Sequence, residues 1–430
     1  MRSIHIVIGR NIILELPITF DELIKEKRQN LGLSKEMFSE LLGLGEQGKN
    51  IVSNWELGKA KPTMPRYKKI LTLPDTITFG ADYNLKKHNL FKYIDLFAGI
   101  GGMRLPFQEL GGRCVFTSEW DKFSKKTYTI NFGEVPKGDI TKIRSDKIPR
   151  HDLLLAGFPC QAFSQAGLKQ GFNDTRGTLF FEIQRILAHH KPRAFLLENV
   201  KQLKGHDKGQ TLRTILEILR GENITKIPQG LDLSDETLQA LKTKLNYRVG
   251  YSILKATDFG VPQSRERIYI IGFDKDQVKK AEQKDICKKI FDELKSSKSE
   301  NCLGDILEKN SLVDPRYTIS DRLWSGHQRR LLEHKKKGNG FGYSLFNSQS
   351  PYCNTISARY YKDGSEILID QTDLNKNPRK LTPREAARIQ GFPENFNLDA
   401  VSDAQNYKQF GNSVSIPVIR AIAEKIIKYL

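Results

Sequence analysis

The sequence predicts a doubly wound, mostly parallel α/β sheet as the main fold, and three observations support this. Apolar strand candidates alternate with amphipathic helices between residues 91 and 273. Residues 19–75 show a purely helical pattern of apolar positions. After residue 273 the alternation stops, and Lys, Ser and Asn become frequent. We therefore expect an all-α N-terminal domain, an α/β domain and a smaller, irregular, β-rich domain in this chain of 430 residues.

Composition and charge narrow the class of protein. Hydrophobic residues make up 38% of the chain and charged residues 28%, as in soluble globular proteins. No apolar stretch reaches membrane length, so we expect a cytoplasmic protein with no membrane partner. The five cysteines form no CxxC pair, which argues against a disulfide framework and against a structural zinc site. The net charge of +19 favours nucleic acid as a partner over simple solubility.

The N-terminal region reads TFDELIKEKRQNLGLSKEMFSELLGL, with apolar side chains at helical spacing. Ser34 is placed to cap a second helix, which we expect to end near Gly43 or Gly45. A third helix follows in GEQGKNIVSNWELGKAKP, and its polar side, suited to a DNA major groove, carries Lys49, Asn50, Ser53 and Asn54. The frame resembles a helix-turn-helix of the phage-repressor type; a helical bundle used only for dimerisation is the alternative.

The central region supplies the strands and helices of the predicted sheet. The strand candidates are YIDLFAG (93–99), RCVFTS (113–118), DLLLAG (152–157), AFLLEN (194–199), YSILKA (251–256) and RIYIIGF (267–273). Helices are predicted over 121–131, 178–189 and 208–220. Ligands of such sheets bind beyond the carboxyl ends of the strands, so functional residues are expected at those ends.

The first strand runs into DLFAGIGG, a glycine turn that lets backbone approach a ligand closely. The dinucleotide pattern GxGxxG is not satisfied, because Arg104 occupies its last glycine position. Glu119 follows the second strand at the position that grips a ribose hydroxyl, and Asp139 lies at the expected end of a third strand. Two carboxylates without a phosphate cradle indicate an adenosyl ligand without phosphates, of which S-adenosyl-L-methionine is one.

A cysteine follows the strand at 152–157, in GFPCQAFS. A lone cysteine is more often a small buried hydrophobe than a nucleophile. Here, however, Glu198 ends the next strand, and Arg265 and Arg267 share one face of an extended segment in QSRER. We therefore expect the thiol of Cys160, a carboxyl group and two guanidinium groups to converge near a methyl donor.

With these motifs the chain resembles a bacterial DNA (cytosine-5)-methyltransferase of a type II restriction–modification system, which has the S-adenosylmethionine-dependent methyltransferase fold. The resemblance covers residues 91–273 and 381–430. Its ordered motifs are DLFAGIGG, SEW, GDI, GFPCQAFS, GTLFFEI, ENV, PQSRERIYIIGF, LTPREAARIQGFP and QFGNSVSIP.

The resemblance implies a catalytic role for each of four residues. The thiolate of Cys160 would add to cytosine C6 and make C5 nucleophilic. Glu198 would bind ring N3 and the exocyclic amine. Arg267 would hold the base at O2 and lower the thiol pKa, with Arg265 beside the cysteine and nearby backbone. No side chain is identified as the base that removes the C5 proton.

The resemblance also implies the cofactor pocket. For Phe97, Ile140 and Leu179 the cofactor role is favoured over the alternative of a place in the core of the sheet. The residues expected to bind S-adenosyl-L-methionine are Phe97, Gly99, Gly101, Glu119, Trp120, Asp139, Ile140, Pro159, Leu179 and Asn412.

Residues expected to bind double-stranded DNA lie in two further regions. Residues 161–176 resemble the mobile loop of the family, which closes over DNA when the target base is flipped out; from it we take Gln161, Ser164 and Arg176. The region 340–370 resembles the recognition region of methyltransferases that modify the inner cytosine of CCWGG or CCNGG sites. The alternative is that SARYYKDG forms a framework hairpin, which sets the geometry of the DNA without selecting its sequence. From this region we take Thr355, Arg359, Tyr360 and Lys362.

These patterns divide the chain into a helix-turn-helix domain (1–75), a linker (76–90), a catalytic and cofactor-binding domain (91–273), a target-recognition domain (274–400) and a C-terminal segment that returns to the catalytic domain (401–430). Helix-turn-helix extensions on some relatives repress their own operon, so we expect operator binding, with dimerisation through this domain. A cognate endonuclease would be linked in function without necessarily being bound.

Three other functions are compatible with parts of the sequence. The chain could be a transcriptional regulator with a secondary or inactive methyltransferase domain, although the catalytic motifs are intact. It could methylate tRNA, since an RNA-methylating branch shares several motifs. An NAD-dependent dehydrogenase is disfavoured by the missing third glycine and the lack of a hydride-transfer constellation.

Overall fold

The computed structural model describes residues 4–7, 13–16, 19–80, 90–158, 179–222, 233–279, 285–295, 301–340 and 342–430. The chain divides into two compact units, each described by itself below. Unit 1 comprises Met1–Tyr83, Lys122–Pro136 and Asn395–Ser402; unit 2 comprises Asn84–Asp121, Lys137–Glu394 and Asp403–Leu430. None of the helices in these described ranges combines the length and apolar character that a bilayer span requires.

The strands are short, as expected for a globular protein. They are β1 (Ile4–Val7), β2 (Ile13–Leu16), β3 (Phe91–Leu96), β4 (Gly112–Ser118), β5 (Leu153–Gly157), β6 (Ala194–Val200), β7 (Tyr247–Lys255), β8 (Glu266–Asp274), β9 (Leu345–Phe346) and β10 (Leu368–Ile369). β7 begins four residues before the predicted strand, because Tyr247 and Val249 also bury alternate side chains.

The α-helices of unit 1 are α1 (Phe20–Asn30), α2 (Lys35–Leu42), α3 (Gly48–Glu56), α4 (Met64–Thr72) and α6 (Lys122–Phe132). Those of unit 2 are α5 (Arg104–Glu109), α7 (Leu179–His190), α8 (Gln210–Arg220), α9 (Asp235–Leu241), α10 (Ile286–Lys295), α11 (Asp321–Lys336), α12 (Pro383–Arg388), α13 (Asp403–Asn412) and α14 (Ile416–Ile426).

Unit 2 is built on a six-stranded sheet with the order β4-β3-β5-β6-β8-β7. The strands β4, β3, β5 and β6 are parallel, whereas β8 and β7 are antiparallel to their neighbours. The chain leaves β3 toward β4 on one side and returns to β5 on the other, so a crevice opens at the carboxyl ends of β3 and β5. The predicted doubly wound, mostly parallel fold is confirmed.

Both faces of this sheet are covered, which explains why its strands are almost continuously apolar. Alternate residues point to opposite faces: Leu154 packs in one core with α7 and α8, and Leu155 in another with α5, α10 and α14. The same alternation holds for Ile270 and Ile271 in β8. Because the strand interiors are apolar on both faces, the polar side chains available for catalysis or ligand binding lie at the strand ends.

The region after β8 contains less strand than the sequence predicted. Its described strands are the two-residue β9 and β10, which pair in parallel, while α10, α11 and short 3₁₀ turns supply most regular structure. Arg379 is fully buried and forms an ion pair with Glu385, at 2.8 Å from Nη1 to Oε2. Its guanidinium also binds the side chain of Asn310, so one buried cation joins distant segments of this region.

The helix-turn-helix of unit 1 follows the predicted pattern. Ser34 caps α2 by accepting a hydrogen bond from the Met37 amide, and the helix ends at Gly43, which is left-handed (φ 71°). In α3, Val52 and Trp55 are buried in the apolar core of the unit. This core also includes Ile130 of α6 and Ala400.

A close backbone approach in unit 2 depends on one glycine. Gly411 lies inside α13, and a Cβ at this position would lie 2.3 Å from the carbonyl carbon of Ser357 and 2.4 Å from the amide nitrogen of Ala358. Both atoms belong to backbone and cannot rotate away. The glycine therefore lets α13 contact the segment that precedes Arg359 directly.

We predict that Gly411→Ala destabilises the protein by about 1–3 kcal/mol or more, because the added methyl group overlaps backbone. Gly326→Ala is the matched control: Gly326 is also helical, in α11, and a Cβ there meets nothing within 4 Å. The control should gain up to about 1 kcal/mol from helix propensity. Thermal unfolding of both variants measures the difference, and equal midpoints would contradict the close approach.

Candidate active site

The glycine turn after β3 has an unusual backbone. Phe97, Gly99 and Gly101 all have positive φ angles, of 56°, 56° and 85°. For a phenylalanine this conformation costs on the order of 1 kcal/mol, and such strain concentrates at ligand sites. The amide of Gly99 donates a hydrogen bond to Oε2 of Glu119, at 2.8 Å, so the predicted ribose-binding carboxylate holds the turn.

Glu119 lies directly after β4 and is buried, whereas the next residue, Trp120, is 71% exposed. Oε1 of Glu119 accepts a hydrogen bond from the Asp121 amide at 2.7 Å. Burial raises the pKa of Glu119, and the amides of Asp121 and Gly99 oppose this by binding the charged form. The buried carboxylate can accept a hydrogen bond from a hydroxyl group of a ligand, and the exposed indole can stack on a flat ring of the same ligand.

The position of Asp139 differs from the prediction. It does not end a strand; it caps a 3₁₀ turn, Ile140–Lys142, with Oδ1 accepting hydrogen bonds from the Thr141 amide and hydroxyl. The segment pairs with β4 only through an isolated bridge between Ser118 and Lys137, so it is too short for a strand. Ile140 is 2% exposed, consistent with its alternative role in the core. Leu179 is half-buried and is the first residue of α7.

Sequence reasoning missed Asp95, which lies in β3 and is 1% exposed. Its Oδ2 has no hydrogen-bond partner within the described part of the chain. Burial raises the pKa of Asp95 to about 8, against the opposing charge of Arg104, and the nearby Glu119 adds to the increase. An acidic residue inside the otherwise apolar YIDLF was the signal that could have identified it.

The C-terminal segment reaches the glycine turn. A Cβ on Gly102 would come within 2.8 Å of Ser413 Oγ and 2.9 Å of Val414 Cγ2. Asn412, which ends α13 and is exposed, directly precedes these two residues in the chain. The motifs DLFAGIGG and QFGNSVSIP, far apart in the chain, meet at one edge of the sheet.

Glu198 and Arg267 also meet at this edge. Glu198 is in β6, and its Oε1 lies 3.2 Å from Nε of Arg267 in β8. Burial raises the pKa of Glu198, and the charges of Arg267 and Arg265 partly oppose the increase. A buried carboxyl group held by a guanidinium group is well placed to form hydrogen bonds with a ligand at this edge.

The start of the cysteine segment lies next to Glu198. Gly157 pairs with Glu198 across β5 and β6, and a Cβ on Gly157 would lie 3.7 Å from Glu198 Oε2. The buried Asn199 donates a hydrogen bond to the Phe158 carbonyl at 3.2 Å. This fixes the backbone just before the predicted nucleophile. Five predicted site residues lie outside the described residues: Pro159, Cys160, Gln161, Ser164 and Arg176.

Arg265 is only 3% exposed, and its guanidinium binds backbone carbonyls. Nη2 donates to the carbonyls of Gly411, at 3.2 Å, and of Ser413, while Nη1 donates to that of Ile356 at 3.4 Å. The residue thus joins the segment before β8 to two distant segments. Such contacts suit a positioning role, and its charge still acts on the pKa of Glu198.

The expected DNA-reading residues of unit 2 differ in exposure. Arg359 and Lys362 are exposed, and Thr355 donates a hydrogen bond to the Ser264 carbonyl at 2.6 Å. The prediction for Tyr360 was wrong: it is fully buried, and its hydroxyl donates to the Ile367 carbonyl and accepts from the Leu381 amide. Its neighbour Tyr361, at 40% exposure, is the tyrosine available to a ligand.

In unit 1 the polar side of α3 is open to solvent. Asn50 and Asn54 are exposed, Lys49 forms an exposed ion pair with Glu36, and Ser53 accepts a hydrogen bond from Lys35 Nζ at 3.1 Å. The buried Val52 and Trp55 fix which side of the helix faces outward.

Comparison with known proteins agrees with both units. Residues 91–227 and 228–428 match the family described as C-5 cytosine-specific DNA methylase, and residues 24–78 match a helix-turn-helix family. The chain is 53% identical over 408 residues to the type II methyltransferase M.SsoII of Shigella sonnei, covering 95% of this chain and 97% of that protein. It is 50% identical over 424 residues to M1.ScrFI of Lactococcus lactis subsp. cremoris, covering 98% of each.

Solved structures share the fold at much lower sequence identity. The Entamoeba histolytica methyltransferase EhMeth is 19% identical with a TM-score of 0.57, covering 79% of this chain and 99% of that one. The S. pombe Dnmt2 methyltransferase is 18% identical with a TM-score of 0.56, covering 78% and 98%. The family match and the full-length relatives, together with the site at the sheet edge, show that this chain belongs to the C-5 cytosine-specific DNA methylases, as a type II DNA (cytosine-5)-methyltransferase with an N-terminal helix-turn-helix domain.

Proposed function

We propose that S-adenosylmethionine is the methyl donor and binds at the carboxyl ends of β3 and β4. The exposed indole of Trp120 offers a face for an adenine, and each oxygen of Glu119 keeps a lone pair for a ribose hydroxyl. The buried Oδ2 of Asp95, without a described hydrogen-bond partner, suits a ligand that carries positive charge. These features fit a donor with adenosine at one end and an ammonium and a sulfonium group at the other.

The remaining cofactor contacts follow from the same placement. Phe97, Gly99 and Gly101 form the strained turn, and Asp139 and Ile140 would meet the adenine. Leu179 and Asn412 would line the pocket, with Pro159 on the cysteine segment. When bound, the donor supplies an electrophilic methyl group.

For the chemistry, we propose that the Cys160 thiolate attacks C6 of a cytosine flipped out of the duplex. The electron pair displaced from the C5–C6 double bond makes C5 nucleophilic, and C5 would take the methyl group as its bond to the sulfur of the donor breaks, which leaves the electron pair on a neutral thioether. Loss of the C5 proton then restores the double bond and releases the thiol. Glu198 would bind N3 and the exocyclic amine as the charge moves, and Arg267, paired with Glu198 at 3.2 Å, would hold both the carboxyl group and the base.

We further propose that the target is a duplex CCWGG or CCNGG site, methylated at its inner cytosine. The local resemblance of residues 340–370 supports this choice, and the exposed Arg359, Tyr361 and Lys362 are the side chains available in SARYYKDG. Thr355 would fix the position of this loop through its hydrogen bond to the Ser264 carbonyl. Gln161, Ser164 and Arg176 would contact the DNA from the closing loop.

The experiment that tests this proposal is bisulfite sequencing of mixed-sequence DNA incubated with the purified protein and S-adenosylmethionine. We expect protection confined to the inner cytosine of CCWGG or CCNGG.

Cys160→Ser should abolish protection and leave DNA binding intact, whereas the control Cys302→Ser, remote in sequence from the motifs, should protect normally. Protection in another context would refute the proposed site alone. Full protection by Cys160→Ser would refute covalent catalysis through this thiol. Protection of tRNA but not of duplex DNA would show that the substrate is tRNA and would refute the proposed DNA target.

A second prediction concerns Asp95. Folding raises its pKa from 3.8 to about 8, so the folded state holds this proton more tightly than the unfolded state. The carboxyl group therefore lowers the free energy of unfolding progressively as the pH rises from about 4 to about 8. Asp95→Asn should become more stable relative to wild type across this window, with no further change above it, and should bind S-adenosylmethionine more weakly.

Thermal midpoints at several pH values, with calorimetric titration of S-adenosylmethionine, measure both effects. Asp292→Asn on the exposed side of α10 is the control and should leave the pH profile and the affinity unchanged. A pH-independent stability difference for Asp95→Asn would contradict the buried titration.

We also propose that the helix-turn-helix domain binds an operator upstream of its own gene and represses transcription, with two chains on a two-fold operator. The exposed polar side of α3 supports this. Such a protein would act in the cytoplasm, and its partner endonuclease would share the recognition site without having to bind the chain.

The operator proposal predicts that Asn50→Ala combined with Asn54→Ala abolishes a gel shift of this upstream DNA but leaves methylation of the target site unchanged. Each lost base contact costs about 1–3 kcal/mol, which together amounts to at least tenfold weaker binding. Asn30→Ala, exposed at the end of α1, is the control in the same unit. Equal operator shifts for the double variant and the control would exclude α3 as the reading helix.

A further inference from the structure

A buried arginine lies behind the turn that carries Asp139. Arg185 in α7 is 2% exposed, and its Nη2 donates hydrogen bonds to the carbonyls of Ile140, at 3.2 Å, and Ile143, at 3.0 Å. These carbonyls lie at the first residue and just after the last residue of the 3₁₀ turn Ile140–Lys142. One guanidinium thus holds both ends of the turn.

The same guanidinium is held from two other sides. Its Nε and Nη2 bind Oε2 of Glu182, at 3.0 and 2.7 Å, and its Nη1 binds Ser145 Oγ at 2.8 Å and Glu236 Oε2 at 3.1 Å. Glu236 belongs to α9 and also accepts a hydrogen bond from the Ser145 amide. The next residue of α9, Thr237, donates to Glu182 Oε1 at 2.9 Å. The head of Arg185 therefore has little freedom to move.

We propose that Arg185 is a positioning residue for the cofactor: it fixes the turn of Asp139 and Ile140 against α7, whose first residue is Leu179. The inference rests on the proposed binding of S-adenosylmethionine. A planar guanidinium with donors on several sides can hold two carbonyls, a hydroxyl and two carboxylates at once, whereas a lysine ammonium has three donors at a single point. Arg185→Lys keeps the charge and loses the geometry.

The chain offers a matched control in Arg379. It is likewise fully buried, pairs with Glu385 through both carboxylate oxygens, and binds the carbonyls of Lys380 and Glu308. None of these partners belongs to the predicted cofactor site. Arg379→Lys should therefore cost comparable stability without changing the cofactor site.

The test measures the Kd of S-adenosylmethionine by calorimetry, the KM and kcat of methylation, and the thermal midpoint for wild type, Arg185→Lys and Arg379→Lys. We expect Arg185→Lys to raise Kd and KM at least about tenfold, the effect of losing hydrogen bonds to a charged group, with kcat at saturating cofactor nearly retained. Arg379→Lys should lower the midpoint and leave Kd and KM within about twofold.

Glu236→Gln is the second variant and is used if Arg185→Lys fails to fold. The Glu236 side chain is 40% exposed, and its substitution removes only one ion pair of Arg185. It should raise Kd about threefold. Unchanged Kd in both folded variants, or an equal rise in Arg379→Lys, would overturn the positioning role. Failure of the wild-type chain to bind S-adenosylmethionine would instead overturn the proposed donor.

Discussion

Desolvation of three carboxyl groups near one sheet edge is the constraint on which the site depends. Asp95 in β3, Glu119 after β4 and Glu198 in β6 are all buried, and burial raises the pKa of each. Each is compensated differently: Glu119 by backbone amides, Glu198 by Arg267, and Asp95 mainly by the charge of Arg104. A site with three buried acids holds its polar groups in place before a substrate arrives, and the fold must supply the stability that their burial removes.

The scaffold supplies this stability through its two apolar cores and through buried cations that bind backbone. Leu154, Leu155, Ile270 and Ile271 are fully or almost fully buried in strands covered on both faces. Arg185, Arg265 and Arg379 each join segments far apart in sequence, and all three bind backbone carbonyls. Carbonyls bound in this way fix loop conformations that no helix or strand would hold. The loops of the site are therefore set by charge-assisted hydrogen bonds, and the strands by apolar burial.

The periodic parts of this molecule could be predicted from the sequence, and the non-periodic parts could not. The strands buried on both faces, and the helix α3 with its buried Trp55, show apolar residues at regular spacing in the sequence. Glu198 and Arg267 were expected at one edge of the sheet because each lies at one end of a predicted strand. Tyr360 and Tyr361 lie in a turn where no period indicates which ring is buried. Asp139 was expected to end a strand, but the segment before it forms only one isolated bridge, between Lys137 and Ser118. The partners of Arg185 come from three separate segments, which no local pattern links.

The core of the N-terminal unit limits how the DNA-reading function can be separated from the enzyme. Ile130 of α6 and Ala400, at 1% and 5% exposure, belong to the same apolar cluster as Trp55. Lys125 of α6 pairs with Glu40 of α2, and Asn131 donates a hydrogen bond to the Asn397 carbonyl at 3.0 Å. Removing residues 1–75 would expose this cluster to water at a cost of about 25 cal/mol per Å² of apolar surface. A loss of methylation after such a truncation would thus report the exposed core together with any lost DNA contact, whereas exposed residues of α3 can be changed without touching the core.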